Sequence, residues 1–213
     1  MSDYVLILPT GNQLKFPTKD LLSNYLVWDR VIPRMRLHGG ALVDVGACVG
    51  GFALAYHDAY PTSPIHLFEP WQQCWSYLNN NVMNLGALLY PLAVGREHDV
   101  LKMFSAAIGH TSLIGTGEFI DVNVVPLDEV INFTVDVLKI DTEGFELNVL
   151  EGAKNILTNH RPDLIVEHIP ASLPNFDHQK DPLFAMIYSY GYGHGKHIVG
   201  NDYLFRNAAK YNE

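Results

Sequence analysis

The 213-residue chain is poor in cysteine, in basic residues and in long apolar runs. Its two cysteines, Cys48 and Cys74, are too few for a disulfide framework and read as reduced thiols of a cytoplasmic chain. Lys and Arg number 14 against 23 Asp and Glu, a formal net charge of −9. That balance argues against nucleic-acid or anionic-membrane partners, both of which want a basic footprint. No apolar run approaches the roughly 20 residues of a bilayer crossing, so no membrane span is expected. Met1-Ser2-Asp3 offers no basic region of a secretory signal, and Tyr4 to Leu8 is too short for its apolar region, so a cytoplasmic location is expected. Without that signal the Asn132-Phe133-Thr134 sequon is accidental. Internal repeats, charge runs and low-complexity tracts are also missing. What remains is 48% hydrophobic content, enough for one full core. We expect one domain over 1–213, with an N-terminal cap (1–40) on a core (41–213).

One further absence is informative. From Leu42 to Phe52 an apolar strand runs through Asp44 into a glycine-rich turn and then an apolar helix, the opening of a nucleotide-type α/β domain. A dinucleotide loop would read G-x-G-x-x-G, but Cys48 stands where the second glycine belongs. A pyrophosphate needs that close backbone approach, so the loop leans towards an adenosyl ligand without one. An ordinary βα turn with packing glycines is the alternative. Asp44 lies two residues before Gly46, where its carboxylate can reach a ligand over the loop.

The rest of the chain supports this reading. Tyr4–Leu8 and Gln13–Phe16 flank a turn at Thr10-Gly11-Asn12 and read as a hairpin. Thr18 to Leu37 has helical spacing, with Pro33 as a possible point of division. Ile65 to Glu69 is a second strand, and Glu69 lies about where such sites place the carboxylate that binds ribose hydroxyls; the alternative is a helix-capping role beside Pro70. The following helix carries an aromatic and aliphatic stripe from Trp71 to Leu85, in which Trp71 is the candidate to face an adenine. Leu88 to Val94 reads as a third strand, Leu101–Ser105 and Phe119–Val125 as further strands, and Val135 to Asp141 as the fourth core strand. An amphipathic helix from Leu147 to Leu157 follows, then a fifth strand, Asp163 to His168. Asp181 to Tyr190 is helical, and Gly191–Val199 with Asp202–Asn207 reads as a closing antiparallel pair. The expected fold is α/β: a Rossmann-like, doubly wound, mainly parallel sheet with the hairpin and helix as cap.

Such sheets bind ligands at the carboxyl ends of their strands. Those ends carry Asp44, Glu69, Asp141 with Glu143, and Glu167 with His168. Helix capping would account for Asp141 and Glu143 singly, and an exposed strand end for Glu167 and His168; the set together points to chemistry. A polar loop bearing His110, Thr111 and Ser112 could reach over an acceptor, or be a surface turn.

Three motifs carry a family resemblance. Val43-Asp44-Val45-Gly46-Ala47-x-x-Gly50, Phe68-Glu69-Pro70, and above all Leu138-Lys139-Ile140-Asp141-x-Glu143-Gly144-x-Glu146-x-x-Val149-Leu150-x-Gly152-Ala153 resemble the FkbM family of S-adenosylmethionine (SAM) methyltransferases. The family commonly has asparagine where Cys48 stands. The resemblance implies that Asp44, Gly46, Ala47, Gly50 and Glu69 hold SAM, with Glu69 on its ribose. It implies an acceptor hydroxyl on a small molecule or glycan, such as a terminal deoxyhexose. An alcohol is a poor nucleophile and needs a base to take its proton, or a metal that lowers its pKa. In one mechanism Glu143 or His168 is the base and Asp141 orients the acceptor, with His110 and Ser112 as further acceptor contacts. In the other, Asp141, Glu167 and His168 hold Mg2+ or Mn2+ and Glu143 takes the proton. An NAD-linked oxidoreductase and a non-catalytic SAM-binding module are the competing functions. A homodimer is compatible with the sequence and not required by it.

Overall fold

A computed structural model describes residues 3–8, 12–37, 39–107, 110–113, 119–168 and 181–211; for 105–107, 110–112, 208 and 211 the description is of the backbone alone. β1 (Tyr4–Ile7) and β2 (Gln13–Phe16) pair antiparallel, Tyr4 opposite Phe16. This is the expected hairpin, although its turn at 9–11 lies outside the described residues. α1 (Lys19–Met35) starts where the Thr18 side chain accepts a hydrogen bond from the Leu21 amide. Its Tyr25, Trp28, Ile32 and Met35 recur at helical spacing and are buried. The helix passes through Pro33 as one element and stops two residues later.

β3 (Leu42–Val45) leads through the glycine turn into α2 (Gly51–Ala59). β4 (Ile65–Phe68) leads into α3 (Gln72–Asn81), which a short 3-10 turn, Met83–Leu85, follows. The expected third strand is two: β5 (Leu88–Tyr90) stays in the main sheet, and β6 (Ala93–Val94) joins another. Pro91 separates them, since it has no N–H to give a sheet. β7 (Asp99–Ala107), β8 (His110–Ser112) and β9 (Phe119–Val125) complete that second, four-stranded sheet, in the order β6-β9-β7-β8.

α4 (Leu127–Val130) precedes β10 (Val137–Ile140), and α5 (Glu146–Gly152) follows it. The amphipathic pattern towards Leu157 is not one α-helix, because a π-helical turn occupies Ile156–His160. β11 (Asp163–Glu167), α6 (Pro182–Ser189), β12 (Lys196–Val199), β13 (Asp202–Phe205) and α7 (Ala208–Tyr211) complete the chain. The expected closing strand from Gly191 is shorter: β12 begins at Lys196, preceded by a Tyr192–Asn207 bridge.

The seven-stranded sheet has the order β12-β13-β11-β10-β3-β4-β5. Pairings from β11 through β5 are parallel, while β13 and β12 add antiparallel. Alternation along each strand feeds two cores. Leu42, Ile65 and Leu67 pack with Trp28 and Phe52 of α1 and α2, and Val43, Val45 and Phe68 pack with Val149 of α5 and Phe184 of α6. The order steps outward from β3 in opposite directions, so the crevice lies beyond the ends of β3 and β10. Among the described residues no helix is long and apolar enough to cross a membrane.

Candidate active site at the carboxyl ends of β3, β4, β10 and β11

A cavity of about 510 Å³ opens at this edge, within the range of small-molecule pockets. Asp44, Gly46, Ala47 and Glu69 line one side, and Asp141, Glu143 and Glu167 line the other. Four of the expected cofactor residues therefore share one space with Asp141, Glu143 and Glu167.

The glycine turn is held by the sheet itself. The Gly46 and Ala47 amides donate to the Phe68 carbonyl at 2.9 and 3.2 Å, and the Asp141 amide donates to the Val45 carbonyl at 3.0 Å. Gly46 has φ +83, and a Cβ there would lie 1.8 Å from the Asp141 carbonyl oxygen. Only glycine lets the loop of β3 approach β10 this closely. Cys48 and Glu143 also take left-handed backbone, at φ 50 and φ 54, strain that clusters at functional loops.

Asp44 is fully buried, and neither carboxylate oxygen has a hydrogen-bond donor among the described residues. Its nearest cation, Lys139 Nζ, is 3.8 Å away, too far for a hydrogen bond. Burial pushes the Asp44 pKa up to about 6, against the pull of Lys139. Glu69 accepts from the Cys48 amide at 2.8 Å and from the Trp71 amide at 2.7 Å. Burial still outweighs both bonds and pushes it up to about 7.

The acids on the other side are coupled. Burial alone would raise the Asp141 pKa, but Lys139 and a hydrogen bond from Glu167 hold it below the usual carboxylate range. Lys139 Nζ donates to Asp141 Oδ2 at 2.9 Å. Burial and then the Asp141 charge push Glu167 up to about 9, so Glu167 carries the proton and donates it to Asp141. Burial works against the charge on Lys139; Asp141, Asp44 and Asp202 more than restore it and raise its pKa. Asp202, opposite Glu167 in the β11–β13 register, is itself pushed up by burial to about 7.

Some expected residues are placed elsewhere. His168 is not in the cavity, because successive residues of a strand face opposite ways and Glu167 faces inward. Its Nε2 lies 3.2 Å from Asp181 Oδ2, at the N-cap of α6, and its ring packs edge-on against Phe184. The expected Asp141–Glu167–His168 set is thus not assembled; Asp141, Glu143 and Glu167 converge instead, with ligand atoms within 4.8 Å of one another. Gly50 caps α2 and packs against Leu78 and Val82, outside the cavity lining. Trp71 is buried with Cys74, Ala93 and Met103 under the small sheet, also outside the lining. His110 and Ser112 lie on β8, but their side chains are outside the described residues, as is Gly109.

Sequence reasoning gave no role to three residues. Lys139 shares a face of β10 with Asp141 by the period of two, but its place beside Asp44 depends on strand pairing. Glu146 Oε1 accepts from the Thr142 amide at 3.0 Å, its hydroxyl at 2.9 Å and the Gly144 amide at 3.0 Å, holding the loop that carries Glu143. Asp202 arrives from the last antiparallel strand, with no local signal at all.

The model of the Methyltransferase FkbM domain matches residues 44–193. The chain belongs to the FkbM methyltransferase family. A methyltransferase FkbM from Methylobacillus flagellatus matches with a TM-score of 0.62 at 18% identity, over 84% of this chain and 47% of that one. The chain thus spans about half the length of that relative. The precorrin-6y C5,15-methyltransferase of Geobacter metallireducens matches with a TM-score of 0.51 at 11% identity, over 88% of this chain and 89% of that one. The ribosomal protein L11 methylase of Lactobacillus delbrueckii subsp. bulgaricus also has a TM-score of 0.51 at 11% identity, over 91% and 81%. At these identities the structures establish the class I methyltransferase fold and nothing finer. No curated protein matches the chain.

Proposed function

We propose that the chain is a SAM-dependent O-methyltransferase acting on a hydroxyl of a small-molecule or glycan acceptor, with a carbohydrate as the first class to test. The observation that carries this reading is one cavity lined both by the buried acids Asp44 and Glu69 and by the half-buried acids Asp141, Glu143 and Glu167. Asp44 and Glu69 would hold the cofactor, Glu69 at the ribose, with the Gly46 and Ala47 backbone as floor. The fit rests on Asp44, whose buried carboxylate has no donor among the described residues and suits a ligand that brings cations and hydroxyls. When bound, SAM supplies a methyl group already activated by its sulfonium, so the protein's task is alignment and proton removal.

Glu143, on its strained turn, is assigned as the base that takes the acceptor's hydroxyl proton. Asp141, kept ionised by Lys139, accepts from the acceptor and orients it. Glu167, protonated at neutral pH, donates to Asp141 and keeps a second carboxylate charge out of the site.

A second reading has one observation in its favour: the oxygen-only cluster of Asp141, Glu143 and Glu167 suits a hard divalent cation such as Mg2+ or Mn2+. Such an ion would lower the pKa of an acceptor hydroxyl. Transfer of labelled methyl from SAM to a panel of glycosides, with and without EDTA, separates the two. The proposal expects transfer that EDTA leaves intact. Loss restored by magnesium or manganese would establish the metal reading. SAM binding without transfer to any sugar would overturn the acceptor class.

A further inference from the structure

The mechanism leaves one reactive pair unused. Cys48 occupies the cofactor loop at a left-handed φ of 50, half-buried and lining the cavity, and its amide donates to Glu69 at 2.8 Å. Cys74, on the first turn of α3, is buried and does not line it. Both are free, and Cys48 packs against the cluster of Trp71, Cys74 and Met103, where the two thiols share a hydrogen bond. The contact is asymmetric in a chemically useful way. Cys48 is the thiol that solvent and cavity reach, and Cys74 is the buried donor. The hydrogen bond to Cys48 first, and burial second, raise the Cys74 pKa.

We propose that Cys48 and Cys74 form a reversible redox-modification site in the cofactor loop, with Cys48 the attacking thiol and Cys74 the resolving one. A peroxide is the oxidant class. The Cys48 thiolate attacks one peroxide oxygen, the O–O bond breaks, and the leaving oxygen takes a proton; the product is a sulfenic acid. The Cys74 sulfur then attacks the Cys48 sulfur, the S–O bond breaks, and water leaves with the Cys74 proton. Two electrons pass from the thiols to the peroxide. A thiol reductant reverses the change by exchange.

A disulfide needs its sulfurs about 2.05 Å apart, much closer than two hydrogen-bonded thiols. Closing that gap draws the Cys48 loop towards α3 and strains the amide bond to Glu69. The consequence for the cofactor rests on the SAM reading above; formation of the disulfide does not.

Peptide mapping of the whole protein after mild hydrogen peroxide, without reductant, tests the site itself. The expected product is a Cys48–Cys74 cross-linked peptide, two hydrogens lighter than its parts and split by dithiothreitol. Oxygen added to Cys48 with Cys74 still alkylatable would overturn the proposal, as would two thiols that both survive. Titration of SAM into both forms is expected to show about tenfold weaker binding when oxidised, the scale of one charge-assisted hydrogen bond. In Cys74→Ala the reduced protein should bind as the parent does, and peroxide should leave no disulfide. Equal SAM affinity of the oxidised and reduced parent would remove the control over the cofactor. If the reduced protein binds no SAM, the cofactor reading fails while the peptide map still decides the disulfide.

Discussion

Lys139 Nζ lies 2.9 Å from Asp141 Oδ2 and 3.8 Å from Asp44 Oδ1, so a single buried cation joins the cofactor side of the cavity to its acceptor side. Removing one partner of such a cluster leaves uncompensated buried charge. Lys139→Met is expected to cost about 3–5 kcal/mol in urea unfolding. A loss below about 1 kcal/mol, the scale of an exposed ion pair, would show that the ammonium is not needed to hold the acids together.

Gly46 separates steric from conformational cost. Its added Cβ would meet the Asp141 carbonyl oxygen at 1.8 Å, whereas Gly86, with φ +81, has nothing within 4 Å. Gly86→Ala should cost about 1 kcal/mol, the left-handed penalty alone. Gly46→Ala should cost at least about 2 kcal/mol and abolish cofactor binding, because β3 and β10 must separate. Equal melting temperatures for the two variants would contradict the close approach.

Affinity for SAM should depend on pH. Asp44 and Glu69 are pushed up to about 6 and about 7, and a ligand that brings cations and hydroxyl donors prefers both as carboxylates. Binding should therefore weaken as pH falls through 7 towards 6, by up to about tenfold per pH unit for each proton that must be released. Stability of the ligand-free protein should run the other way. The folded state binds these protons more tightly than the unfolded chain, so Asp44 and Glu69 favour folding below their unfolded pKa values. That contribution is lost as pH rises from about 4 through 7. Calorimetric titration and thermal melts at pH 5.5, 6.5 and 8 check both signs.

Glu146→Ala should separate binding from transfer. The side chain holds Thr142 and Gly144 by three hydrogen bonds and, among the described residues, makes no hydrogen bond to the glycine turn. A loss of about 1–3 kcal/mol in stability is expected. Transfer should slow markedly while SAM affinity stays within a few-fold of the parent. A parallel loss of affinity would mean that this loop also carries the cofactor.

What the sequence made legible was the local part. Asp44, Glu69 and Asp141 could be placed at strand ends because each follows a short apolar run and precedes a turn. Leu88 to Val94 reads as one apolar strand, but Pro91 within it has no N–H to give a sheet, and the strand divides there. His168 and Glu167 stood together as ionisable strand-end residues; alternation puts them on opposite faces, and only Glu167 faces the cavity. Lys139 and Asp202 were illegible for a different reason. Both act through neighbours on other strands, and register between distant strands is a tertiary fact. The Cys48–Cys74 contact is of the same kind.

The central claim is that SAM occupies the cavity beside Asp44 and Glu69. Isothermal titration of SAM into the protein and its Asp44→Asn and Glu69→Ala variants tests that claim. Micromolar binding by the parent, with each variant at least about tenfold weaker, is the predicted result. No binding by the parent, or binding that both variants retain unchanged, would contradict it.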